Sequence, residues 1–164
     1  MSFPAPTIFE TLGVAPLINA AGTVTRLSGG MMAPEVAEAM RQASLACVDM
    51  LELQAAACRA IRAATGAEAG MVTSGASAAV LLGAAACLAG LDPAAINLLP
   101  EVATGRCEFV VVRSQRNMYD RALRVAGGRI VEIGIADRYS GAGIRDAAAW
   151  EVDAAIGDRT AGVY

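Results

Sequence analysis

The stretch MVTSGASAAVLLGAAACLAG, Met71 to Gly90, carries no charge and almost no side chain larger than leucine. It sits in an uncharged run of 23 residues between Glu68 and Asp92, long enough to cross a bilayer. Its composition argues otherwise. Ala, Gly, Ser and Thr gain far less on transfer to lipid than Leu or Ile, and no aromatic or cationic anchors flank the run. The pattern predicts a short strand at Gly70-Met71-Val72-Thr73, a turn at Ser74-Gly75-Ala76-Ser77, and a helix through Leu88. Glycine permits a tight turn and close approach of a ligand. The first amides of the helix, Ala76 and Ser77 among them, lack intrahelical acceptors and can point at a phosphate. Ser74 and Ser77 add hydroxyl donors. An ordinary helix cap has a similar composition. The turn also lacks the GK[ST] ending of a nucleotide loop and the G-x-G-x-x-G of a dinucleotide fold.

Working outward, IFETLG reads as a short helical lead, and PLINAAGTVTRLSGG as an extended arm with a β-type pair at Leu17 and Ile18. Two helices are expected between Pro34 and Gly66, divided around Ala46 to Met50, with Gly66 as the stop of the second. Downstream, Leu91-Asp92-Pro93 ends the uncharged helix and LLPEVATG is loop-like. CEFVVVR, Cys107 to Arg113, has the continuous apolar run of a strand buried on both faces. SQRNMYDRALRVAGG gives a connection and a helix, RIVEIG a second strand, IRDAAAWEVDAAIG a helix, and TAGVY the opening of a third strand. Strand, helix, strand, helix, strand predicts a mainly parallel sheet covered by helices, an α/β fold.

An apolar share of 55% excludes disorder, and a formal charge of −3 gives no reason to expect nucleic acid as a partner. All 13 basic residues are arginine; with neither Lys nor His, the chain holds no Schiff-base amine and no imidazole proton shuttle. The four cysteines, Cys47, Cys58, Cys87 and Cys107, show no metal-ligand spacing and are expected to be buried cytosolic thiols. MSFPAPTIFETLG has no cationic start before an apolar run, so a cytoplasmic location is expected, with no membrane partner.

INAAGTVTRLSGG, APEVAEAM, TSGASAAVLLGAAACLAG, RNMYDRALRVAGGRIVEIG and IGDRTAGVY occur in an order that resembles pyridoxal-phosphate enzymes similar to L-seryl-tRNA(Sec) selenium transferase and D-glucosaminate-6-phosphate ammonia-lyase. The resemblance implies an incomplete large domain of the aspartate-aminotransferase fold type. It divides the chain into an N-terminal arm with helices, 1–66, and the first half of the cofactor-binding domain, 67–164. It further implies that Ser74, Gly75, Ala76 and Ser77 hold the phosphate of pyridoxal 5′-phosphate. Gln115, with Asn117 and Tyr119 close by, stands where such enzymes place a flat side chain over the cofactor ring. Arg26, in the arm with Asn19, Thr23 and Thr25, is the implied contact for a substrate carboxylate or phosphate. The implied activity is that of a lyase or transferase on a small amino acid or amino sugar, in a homo-oligomer. The lysine that holds the cofactor in such enzymes corresponds to nothing between Met1 and Tyr164. The chain is therefore expected to be an inactive fragment needing a complementary C-terminal half, with no catalytic residue and no metal site of its own. The competing expectation is a non-catalytic binding module derived from the same fold.

Overall fold

Phe109, Val110 and Val111 are consecutive aromatic and β-branched residues, the composition of a strand covered on both faces. In the computed structural model, which describes residues 7–102, 105–134 and 147–164, they form the centre of β1 (Glu108–Val112), and all three are buried. β2 (Arg129–Ile133) and β3 (Thr160–Val163) flank it in the order β2-β1-β3, and both pairings are parallel. The β1–β2 register is regular, from Glu108 opposite Arg129 to Val112 opposite Ile133. On the other side the register shifts between Glu108 and Phe109, where the N–H groups of Cys107 and Glu108 both donate to the Arg159 carbonyl. The extra residue is Ala161 of β3, which the ladder with β1 skips. The described fold is thus α/β, a parallel three-stranded sheet with flanking helices, as the sequence predicts.

The helices are α1 (Ile8–Thr11), α2 (Pro34–Ala43), α3 (Met50–Thr65), α4 (Ala76–Ala89), α5 (Pro93–Leu98), α6 (Arg121–Val125) and α7 (Ala149–Ala155). α2 and α3 meet the expected division, and Gly66 at φ +74° ends α3. Of the last predicted helix, residues 144–146 lie outside the described residues. α5 is a finding beyond the sequence reading: the Asp92 side chain accepts the Ala94 N–H at 2.9 Å and Pro93 occupies the first turn. The Asp-Pro pair that stops α4 therefore also starts the next helix.

Two expectations need correction. Gly70–Thr73 is not a strand; no ladder among the described residues includes it. The Val72 and Gly70 backbone groups find partners on α3 instead. The Gln54 side-chain amide donates to the Val72 carbonyl at 2.7 Å and its oxygen accepts the Val72 N–H at 3.2 Å, while the Gly70 N–H points at the Cys58 sulfur at 3.3 Å. One glutamine thus supplies what a neighbouring strand would. Nor are the cysteines buried: Cys47 and Cys87 are exposed and Cys58 and Cys107 half-buried, all with free thiols. Neither α2 nor α3 contains a buried residue, and the uncovered face of α4 leaves Cys87 at the surface.

The core is one helix-on-sheet layer. Ala84, Phe109, Val111, Leu123 and Ala126 form the buried cluster, joined by Val80, Leu81, Ala85 and Leu88 of α4 and by Ile130 of β2. Val110, on the opposite face of β1 by the two-residue alternation, is also fully buried. Gly128 is required by packing, because a Cβ there would stand 2.5 Å from the Phe109 ring. Two compact units are present, Met1–Glu52 and Leu53–Tyr164. The first has no buried residue among those described, and Ile18 and Met31 are almost fully exposed. No helix of the described residues is long and apolar enough to cross a membrane.

Candidate functional site

Gly75 precedes α4 at φ +145°, ψ 175°, a region of backbone space essentially confined to glycine. The space before it is open, since a Cβ added there meets nothing within 4 Å. Thr73 fixes the turn: its hydroxyl donates to the Gly75 carbonyl at 3.0 Å, and the Gly75 N–H approaches the same hydroxyl oxygen at 3.4 Å. The Gly75 carbonyl also accepts the Ala79 N–H at 3.0 Å, which closes the first helical turn.

No side chain caps this helix. The amides of Ala76, Ser77 and Ala78 precede the first intrahelical donor and have no acceptor within the helix. By contrast, α1 is capped by the Thr7 hydroxyl, which accepts the Glu10 N–H, and α5 by Asp92. Ser74, Gly75, Ala76 and Ser77 are all exposed, so the four predicted cradle residues lie together on one open turn. The chemistry of such a turn is directional. Converging N–H dipoles and the positive end of a long helix favour an anion.

Gln115 ends a 3-10 turn, Arg113–Gln115, immediately after β1, and its side chain is exposed. The Asn117 amide donates to the Gln115 carbonyl at 3.1 Å, and the Asn117 oxygen accepts the Tyr119 N–H at 2.9 Å. A second 3-10 turn, Met118–Asp120, follows and packs against α4. Asp120 is the buried charge of this connection. Its carboxylate takes a forked pair from Arg116, at 2.5 and 3.2 Å, and the Asn117 N–H at 3.2 Å. The Arg116 hydrogen bond, above all, holds the Asp120 carboxyl below the usual carboxylate range despite burial. Arg116 also contacts Glu132 on β2, and Arg113 reaches the same carboxylate at 3.0 Å. The segment bearing Gln115 is therefore pinned to the sheet by charge. Arg26 belongs to the other unit, where it is exposed in the 3-10 turn Thr25–Leu27.

Thr73, Gln54 and Asp120 hold the two turns together without belonging to the expected site. Thr73 had a local signal, a hydroxyl two residues before a turn glycine. Arg116 and Asp120, four apart, had the spacing of an ion pair on a helix. Gln54 had none, because its partner is 18 residues away. Among the described residues no group of three or more acidic, Cys or His side chains could hold a metal.

No family model matches the chain. The chain is similar to D-glucosaminate-6-phosphate ammonia lyase of Salmonella typhimurium, with 33% identity over 160 residues, 95% of this chain and 41% of the relative. A 5′-C-glycyluridine monooxygenase-decarboxylase of a Streptomyces species is 33% identical over 131 residues, 77% of this chain and 33% of that one. The solved structure of a D-glucosaminate-6-phosphate ammonia-lyase superposes with a TM-score of 0.86 at 32% identity, over 98% of this chain and 42% of the other. The resemblance to such an ammonia lyase read from the sequence is thereby borne out. The chain spans about two fifths of the length of that relative.

Proposed function

We propose that this chain is the phosphate-gripping part of a pyridoxal-phosphate-dependent lyase or transferase of the aspartate-aminotransferase fold type, acting on an amino sugar or amino acid. One observation carries the reading. In a chain similar to an ammonia lyase, the glycine-only turn at Gly75 opens an uncapped, exposed helix start, with open space where a Gly75 Cβ would stand. The fit to the cofactor's phosphate is good: free amides at Ala76 and Ser77 and hydroxyls at Ser74 and Ser77 match its oxygens. Helices in a parallel α/β layer run opposite to their strands, which favours placing the start of α4 near the end of β1, where Gln115 follows. Gln115 would then lie against the cofactor ring, and Arg26 is carried as a substrate-anion contact by the resemblance alone.

When bound, the cofactor supplies an electron sink for breaking bonds at the carbon bearing the substrate nitrogen. The chain's own residues bind and orient it. With no Lys or His among 164 residues, the amine that would hold the cofactor covalently comes from another polypeptide segment. The lack of buried residues among the described residues of Met1–Glu52 supports a second copy or a complementary segment as cover for that unit.

Pyridoxine 5′-phosphate, which has an alcohol where the cofactor has its aldehyde, tests the grip without imine chemistry. Calorimetry should show a saturable site that is weakened several-fold in Ser77→Ala and lost in Gly75→Ala, and that persists in Arg124→Ala. Absence of saturable binding, or a Gly75→Ala variant that binds like the parent, overturns the proposal.

A further inference from the structure

Five of the 13 arginines fall between residues 113 and 129, where Asp120 is the only acid, although the chain as a whole is net negative. The fold gathers four of them around two adjoining grooves. One, of about 550 Å³, is lined by Arg116, Arg124, Gly128, Arg129, Ile130 and Glu132. The other, of about 300 Å³, shares Arg116 and Arg124 and adds Arg121. Four guanidinium groups face two carboxylates, Asp120 and Glu132.

The carboxylates are already committed. Arg116 forks onto Asp120 and contacts Glu132, and Arg113 takes the second oxygen of Glu132. Among the described residues Arg129 reaches only Glu108, at 3.7 Å, and Arg121 and Arg124 form no ion pair, although the Arg124 charge helps hold the Asp120 carboxyl low. Arg121 and Arg124 are three apart on α6 and share a face, an arrangement of like charges that costs stability unless an anion sits between them. The larger groove also runs beside β2, which pairs on one side only among the described strands.

We propose that this groove is an anion site for a small phosphate-bearing dianion, inorganic or esterified, with Arg121, Arg124 and Arg129 as its cationic partners. Guanidinium forks match phosphate oxygens in pairs, and the volume falls in the range of small-ligand sites. Glu132 is the opposing element. It faces the ligand with a like charge and competes for Arg116.

The test uses the full chain at low ionic strength, titrated in separate arms with inorganic phosphate, pyrophosphate and a hexose 6-phosphate. Saturable binding in any arm is expected, retained in Gly75→Ala, and the tightest arm identifies the source of the phosphate. Arg124→Ala and Arg129→Ala should each weaken it about tenfold, as loss of a charge-assisted fork does. Glu132→Gln should tighten it several-fold, an outcome that a merely structural role for the cluster would not give and that does not depend on the arginine variants folding. Arg41→Ala, on α2, should change nothing, because that guanidinium is already bound by Glu38 at 2.7 Å. Heats that never saturate, or an equal loss in Arg41→Ala, would overturn the site. Pyridoxine 5′-phosphate binding that survives Arg124→Ala and fails in Gly75→Ala keeps this result separate from the cofactor reading.

Discussion

Two glycines bound to α4 should respond to the same substitution with opposite signs. Gly75 precedes the helix at φ +145°, ψ 175°, whereas Gly83 lies inside it. A Cβ added at either meets nothing within 4 Å, so crowding contributes to neither change and only the backbone decides. At Gly75 an L side chain occupies a region that costs about 1–3 kcal/mol. At Gly83 alanine removes unfolded-chain entropy and raises helix propensity, a gain of about 0.5–1 kcal/mol. For a chain of this size each kcal/mol moves the melting temperature by roughly 2–4 °C. Gly75→Ala should therefore melt roughly 2–12 °C lower and Gly83→Ala roughly 1–4 °C higher, read by circular dichroism at 222 nm or by calorimetry. Phosphate binding separates the two further. Relaxing φ at Gly75 redirects the amides of Ala76 and Ser77, and Gly83→Ala leaves them in place. Equal melting shifts of one sign, or a Gly75→Ala variant with unchanged stability, would refute the reading of that turn as strained by design.

Asp120 should make stability fall in acid. Its folded pKa lies below the unfolded value of about 3.9, so its contribution is present above that pH and is lost as pH falls through the folded pKa. Urea midpoints measured from pH 6 downward should show this decline, and Asp120→Asn should flatten it while costing about 1.5–3 kcal/mol at pH 6. Val111→Ala, at a side chain with no exposed surface, should cost about 1.5–3 kcal/mol by denaturant titration. Gln54→Ala removes both hydrogen bonds to Val72 and should cost about 0.5–1.5 kcal/mol, with faster amide exchange at Val72. An unchanged exchange rate would mean that Gln54 does not hold that segment.

What could be read from the sequence divides by range of interaction. β1 was legible because Phe109, Val110 and Val111 need cover on both faces whatever their neighbours, and α4 because Gly75 and the alanines after it specify a turn and a helix locally. Gly70–Thr73 has strand composition too, but a strand exists only with a ladder partner, and here Gln54 takes that place through two side-chain hydrogen bonds. The exposed turn at Ser74 to Ser77 was legible for the same local reason: its residues are consecutive. The Arg116–Asp120–Glu132 cluster was not, since Glu132 joins it only through the parallel pairing of β2 with β1.

The uncharged helix shows why its sequence invites competing readings. Burial requires an apolar stripe, but α4 is apolar all round, which normally marks a helix enclosed on every side. One side meets the sheet and α6 through Val80, Leu81, Ala84, Ala85 and Leu88. The other leaves Ala79, Leu82, Gly83, Ala86 and Cys87 exposed. Lipid would satisfy that second side only for a longer and more hydrophobic helix, and α4 has 14 residues, several of them alanine. A helix of small side chains is better suited to close approach by another protein surface, since alanine and glycine let backbones come near without long side chains to order. The start of the same helix is uncapped and open. Both features leave α4 with an uncapped first turn and one exposed face, and the two differ in chemistry: amides that favour an anion, and small side chains that admit close approach of another backbone.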